Sequence, residues 1–374
     1  MSRESVLYSI ALTAVKGISS KTALTLYKEV KGDARKIFDN CGHLDFILPN
    51  FNKENIKTTK YDFETALERA KQEIIFIEKH DIKTLCYYDD EYPIRMRNCC
   101  DDAPIVLYYK GNASLNAKYT ISIVGTRHCT DYGKDMCRQL TEDFSIKRKE
   151  TLIVSGLAYG IDINAHRGAL KNGLQTVAVL AHGLDRIYPT LHRDTAKEML
   201  HQGGLLTEYM SGTNPDKPNF LQRNRIIAAI SDACIVVESA YKGGAMSTAR
   251  CAMEYNHDVF AFPGRKGDEY SSGCNDLIKR NTAALITDAD DVIKAMGWPK
   301  ENHQEIIQTQ LFAELSDEEQ SVINTLKKCE GITINQLVLA TGLPIFKLSA
   351  MLNKMEMLGM VISLPGSKFR LPNK

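Results

Sequence analysis

The sequence predicts an α/β protein: a doubly wound, mostly parallel sheet, preceded by a helical domain and followed by a winged helix. Three observations carry that reading. Short apolar runs alternate with helix-length gaps from residue 120 to about 290. Apolar residues recur at helical spacing through the first 80 residues. After residue 316 the order is helix, short helix, helix, then strand–turn–strand.

Residues 1–80 read as the helical domain, with Leu7, Ile10, Leu12 and Val15, then Ala23, Leu24, Leu26 and Tyr27, then Phe63, Ala66 and Ala70 at turn spacing. Residues 81–298 form the second domain. It opens with the strand-like pieces TLCYY and IVLYY, punctuated by Pro93 and Pro104. Its strand candidates are 121–125, 152–156, 176–183, 205–209, 234–240, 258–264 and 283–287. The gaps 133–149, 163–172, 190–202, 222–231, 244–256 and 274–281 can each hold a helix or a loop, which gives a Rossmann-like arrangement with helices on both faces. Residues 299–315 read as a polar linker. In the winged helix, 316–374, the elements fall at Asp317–Cys329, Ile334–Ala340, Phe346–Leu358, Met360–Leu364 and Phe369–Leu371, with Pro365-Gly366 as the turn.

Composition suits a globular protein, with 44% hydrophobic and 25% charged residues. No apolar run reaches the ~20 residues of a membrane span. The N-terminal MSRESVLYSIALTAV lacks a small-residue cleavage site and reads as a helix. Ten cysteines without a CxxC pair favour reduced thiols in a cytoplasm over a disulfide framework or a zinc site. Net charge is +1, so a polyanion site must come from local clustering.

Such clustering occurs where strands end, the binding edge of an open parallel sheet. Arg127 follows Gly125-Thr126 directly. The run VSGLAYGIDINAH places Ser155, Gly156 and Gly160 between a strand and a helix, a place where backbone amides can hold a phosphate. Phe220, Arg223, Asn224 and Arg225 open a helix, and Lys242 precedes Gly243-Gly244. Arginine forks suit phosphate oxygens, and an aromatic face suits a base. Neither GxxxxGK[ST] nor GxGxxG is present, which argues against a P-loop or a dinucleotide site. The bland alternatives stay open: Arg223 and Arg225 as a solvated helix start paired with acids, Phe220 as core. Asp162, Glu208, Glu238, His166 and His182 could serve proton transfer. Structurally, Asp162 would cap its helix, the two glutamates would pair with the arginines, and His166 would pack.

The ordered run IVGTR, SGLAYGID, VAVLAHGLD, GLLTEY, RNRIIAAIS, VVESA, GGAMSTARCA and VFAFPG resembles the DNA-processing protein A (DprA/Smf) family across about 120–290. The C-terminal segment is similar to that family's winged helix. The resemblance implies a dimeric, cytoplasmic protein that is not an enzyme, with no cofactor and no metal. Its partners would be single-stranded DNA and RecA, which it would load onto that DNA, notably in natural transformation. Carried over by position, Arg127 stands for the arginine of the family's GSR turn, with Thr126 for serine. Ser155, Gly156 and Gly160 stand in its SGxAxGID loop. Phe220, Arg223, Asn224 and Arg225 stand in its FPxRNR segment, with Leu221 for proline, and Gly243-Gly244-Ala245 replaces a Ser-Gly-Ser. Val15–Ala23 resembles a helix-hairpin-helix (SAM-like) motif with Ser19 in place of a glycine, which points to a structural or auxiliary role. The recognition-helix candidate 346–358 carries only Lys347 and Lys354 as cations, so protein contact is at least as good a reading as DNA contact. The competing function is a nucleotide-processing enzyme of the lysine-decarboxylase-like phosphoribohydrolase type, faintly echoed by Gly243-Gly244, Ser247-Thr248 and Glu254. A pure scaffold would leave the strand-end crevice unexplained.

Overall fold

The computed structural model describes residues 2–41, 43, 44, 47, 58–299, 316–327, 332–357, 360–364 and 368–371. The chain divides into two units, Met1–Glu301 and Asn302–Lys374.

The first unit is built on a nine-stranded sheet: β1 Lys83–Cys86, β2 Val106–Gly111, β3 Tyr119–Val124, β4 Thr151–Ser155, β5 Thr176–Val179, β6 Gly203–Thr207, β7 Ala233–Val236, β8 Asp258–Ala261 and β9 Ala284–Leu285. Their order is β1-β2-β6-β5-β4-β3-β7-β8-β9. Strands β3 to β9 run parallel with their sheet neighbours, while β1 and β2 are added antiparallel beside β6. All seven strand candidates become strands, and TLCYY and IVLYY contribute β1 and β2. Several end earlier than expected: β5 stops at Val179 and β7 at Val236. The residues beyond them, such as Leu180 and Val237, stay buried in loops crossing the sheet edge, so apolarity alone overextends the strand.

Alternate residues of the central strands enter different cores, as the period-2 pleat requires. Ile121, Ile123, Ile153 and Ile235 join Leu140, Phe144 and Ile161 on one face. Leu152, Val154, Cys234 and Val236 join Ile226 and Ala249 on the other. Helices Asp131–Lys147 and Ile161–Lys171 cover the first face. Helices Lys217–Ala229 and Gly244–Glu254 cover the second. This is the doubly wound Rossmann-like arrangement the alternation predicts.

The N-terminal helices Arg3–Ala14, Ser20–Glu29 and Lys60–His80 share the second core through Ile10, Leu24, Tyr27 and Phe63. Ser19, where a hairpin glycine is expected, caps the second of these helices by accepting the Thr22 amide at 3.2 Å. Lys21 of that turn is held by Asp101 at 2.5 Å. The Ser19 side chain and Lys21 are thus both engaged within the chain.

The second unit carries helices Asp317–Leu326, Ile334–Thr341 and Ile345–Met357 and the antiparallel strands β10 Ile332–Thr333, β11 Ile362–Leu364 and β12 Lys368–Arg370, ordered β10-β12-β11. Val322, Leu337, Leu348, Leu352 and Met355 form its own core, the winged-helix pattern. Cys329, Leu358, the Pro365-Gly366 turn and residues 300–315 of the linker lie outside the described residues. Among the described residues no single helix is long and apolar enough to cross a membrane, and no cysteine forms a disulfide.

Candidate functional site

Strand order reverses between β3 and β7, and there the carboxyl edge of the sheet opens into a cleft of about 700 Å³. Of the residues singled out from sequence, Thr126, Arg127, Phe220, Arg223, Asn224, Gly243 and Gly244 line it. Ser155, Gly156, Gly160, Lys242 and Arg225 do not.

The turn after β3 is fixed by backbone. The Thr126 amide donates to the Glu238 carbonyl at 2.7 Å, and the Thr126 carbonyl accepts the Ile161 amide at 3.1 Å. The Thr126 hydroxyl accepts the His128 amide at 3.1 Å and closes the turn. Arg127 is thereby held at an exposed position with its guanidinium 5.1 Å from the centre of the Phe220 ring. No carboxylate pairs with it among the described residues. A stacked guanidinium keeps its forked donors available to an incoming anion.

Two helices begin at this cleft without a side-chain cap, Lys217–Ala229 and Gly244–Glu254. Their first-turn amides and the positive ends of their dipoles favour an anion there. Lys217 lines the cleft, and Lys242, exposed, stands two residues before the second helix. Tyr188 stacks at a tilt against Phe220 at 5.9 Å and leaves 44% of its surface in solvent.

The loop of VSGLAYGIDINAH differs from the phosphate seat its glycines suggest. Gly160 has φ +75° and lies so close to the preceding turn that a Cβ would sit 2.1 Å from the Thr126 carbonyl oxygen. A Cβ on Gly156 would meet the Arg223 guanidinium at 2.5 Å. The Ser155 hydroxyl donates to the Ile123 carbonyl at 2.6 Å, away from solvent. These residues bring the β4 loop against the Arg127 turn, and they act on the cleft through its shape. Asp162 lies buried under the loop without capping its helix. Burial raises its carboxyl pKa, opposed by the charge of Arg223 and the Ala158 and Gly156 amides.

The two arginines of RNR part company. Arg223 is buried and donates to the Gly156 carbonyl at 2.8 Å and to the Val179 carbonyl, tying the ends of β4 and β5 together. Burial pushes its pKa down to about 10. Arg225 turns away from the cleft, paired with Glu208 at 2.5 Å and Asp102 at 3.3 Å. Residues two apart on a helix point about 200° apart, so both cannot face one ligand. Glu208 pairs with an arginine as the structural reading holds; Glu238 instead accepts the Thr130 amide at 2.9 Å and its hydroxyl at 2.6 Å. His166 is packed in the core, bonded to the Thr176 hydroxyl at 2.7 Å, and burial holds its pKa down at about 3. His182 is buried as well. Glu254 is exposed at the far end of its helix, ten residues and about 15 Å from Gly244.

Sequence reading missed Lys217, Tyr188, His128 and Tyr270 as cleft residues. Lys217 had a signal, since Asp216-Lys217-Pro218 marks a helix start beside the residues already singled out.

Residues 83–297, which contain every residue of this cleft, match the family described as DNA recombination-mediator protein A. Residues 308–367 match the DprA winged helix domain. The chain belongs to that family. Among DprA/Smf relatives, Protein Smf of Synechocystis is 33% identical over 331 residues, covering 79% of this chain and 82% of the relative. DNA processing protein DprA of Streptococcus pneumoniae is 39% identical over 205 residues, 55% of this chain and 71% of the relative. The X-ray structure of the S. pneumoniae DprA matches with TM-score 0.66 and 31% identity, covering 77% of this chain and 97% of that one. A Helicobacter pylori DprA structure, described for its single-stranded DNA binding mode, matches with TM-score 0.52 and 32% identity, covering 57% and 95%. At the level the family sets, this DprA-family chain is a DNA-processing recombination mediator.

Proposed function

We propose that the cleft binds single-stranded DNA along the carboxyl edge of the sheet, and that the protein protects incoming strands and loads RecA onto them, as in natural transformation. In this reading it works as a cytoplasmic homodimer and catalyses no reaction. The observation that carries the reading is Arg127: an exposed, unpaired guanidinium stacked on Phe220, beside two uncapped helix starts. Phosphates would meet Arg127, Lys217 and the amides at Gly243-Gly244. Bases would stack on Phe220 and Tyr188, which favours strands whose bases are free over a closed duplex. The RecA step rests on family membership, and the H. pylori relative's single-stranded DNA binding supports the ligand.

Labelled oligo-dT, titrated at several salt concentrations, tests this. Binding is expected to weaken with salt, and Arg127→Ala is expected to lower the log–log salt slope by ~0.7, one phosphate contact on a single strand. An unchanged slope and affinity in Arg127→Ala would overturn the assignment of this cleft.

A further inference from the structure

Tyr270 stands on the border between the cleft and a second cavity of about 920 Å³ beside it, and lines both. Its ring stacks on His128, with centroids 6.2 Å apart and planes 30° from parallel. His128 is exposed and is the residue after Arg127, so this aromatic pair and the Tyr188–Phe220 pair stand at two places in one cleft with Arg127 as their common neighbour.

The second cavity has a different chemistry from the first. Asp131, Glu238, Asp268 and Glu269 line it against a single cation, Arg265, with Glu269 shared with the cleft. Asp131 is bound to Lys134 at 2.8 Å; Asp268 and Glu269 are exposed. Carboxylates at this density repel a phosphate, whereas the uncharged flat face of a nucleobase meets no such penalty. Tyr132, 40% exposed and anchored through its hydroxyl to the Pro263 carbonyl at 2.7 Å, adds a second ring to the wall.

We propose that His128 and Tyr270 form a second base platform, and that the adjoining cavity receives an unstacked base of the bound strand while its phosphates stay on the Arg127 side. This rests on the reading of the cleft as a single-stranded DNA site. It extends the path of the strand from the cleft to the adjoining cavity and makes the contact at Tyr270 one of stacking without charge.

The test measures affinity and salt slope together, for wild type, Tyr270→Ala and Tyr270→Phe, on oligo-dT and on an oligonucleotide of the same length made of abasic sites. The Tyr270 backbone carbonyl, which accepts the Ser239 amide at 2.6 Å, is kept in both variants. Tyr270→Ala is expected to bind oligo-dT about 5- to 150-fold more weakly, the range for one base stacked on an aromatic ring, with the salt slope unchanged. Tyr270→Phe is expected to bind like wild type, and on the abasic strand the three proteins are expected to converge. Equal binding of Tyr270→Ala and wild type on oligo-dT would overturn the platform. So would an equal loss on the abasic strand, since the side chain would then act through the fold. Absence of salt-sensitive binding by wild type would instead remove the cleft reading, and the platform with it.

Discussion

Arg127, Arg223 and Arg225 look alike in sequence and do three different jobs. Arg127 is exposed and unpaired, so its loss is expected to leave unfolding free energy within about 0.5 kcal/mol while weakening binding. Arg225→Ala strands the buried Glu208 carboxylate and is expected to cost about 3–5 kcal/mol in urea unfolding. Thermal unfolding of the two variants side by side separates ligand contact from fold contact. The spacing in RNR already contained this division, because positions 223 and 225 cannot share a helix face. Which one meets carboxylates was not legible, since Glu208 and Asp102 lie 17 and more than 100 residues away. His166 gives a pH prediction. Its unfolded imidazole titrates near 6.5, its folded one near 3, so the unfolded chain binds the proton first. Stability is therefore expected to fall as pH drops from about 6.5 toward 3, by at most about 1.4 kcal/mol per unit from this group. Urea unfolding of His166→Gln should show a shallower loss over that window.

At the scale of elements, the glycine-marked turns lie along the carboxyl edge of the sheet, and the glycines of the β4 loop face a neighbouring turn and the Arg223 side chain. Gly160 permits two loops to touch, with the Thr126 carbonyl where a Cβ would be. Gly160→Ala is expected to cost about 1–3 kcal/mol and to displace the Arg127 turn, weakening oligo-dT binding beyond its effect on melting temperature. A GxxxG between strand and helix reads the same whether its amides face a ligand or a neighbouring loop, because the pattern records only where side chains are forbidden. The parallel strands β3 to β8 were legible because their runs are largely apolar and almost wholly buried on both faces, whereas β9 is two exposed residues. The joining of β1 and β2 to the same sheet was not, since it depends on antiparallel pairing with β6 about a hundred residues later.

For the whole molecule, the winged helix has its own core and forms its own unit. Both cations on its third helix are engaged, Lys347 by Glu318 at 2.6 Å and Lys354 by Glu319 at 2.9 Å. Leu339 and Phe346 meanwhile expose 86% and 75% of their surface. A chain ending at residue 301 is therefore expected to keep oligo-dT affinity within about threefold of the full chain, as anisotropy titrations would record. A larger loss would place DNA contacts on the winged helix.

The antiparallel seam carries a consequence for how the chain is born. Tyr108 in β2 finds its partner only at Thr207 in β6. On a ribosome adding roughly 5–20 residues per second, β2 waits about 5–20 seconds for that partner. Through that interval four residues destined for burial, Val106 to Tyr109, are bordered on one side by β1 alone. Nascent-chain stalls placed before and after residue 207 should bracket the moment at which this edge stops being sticky.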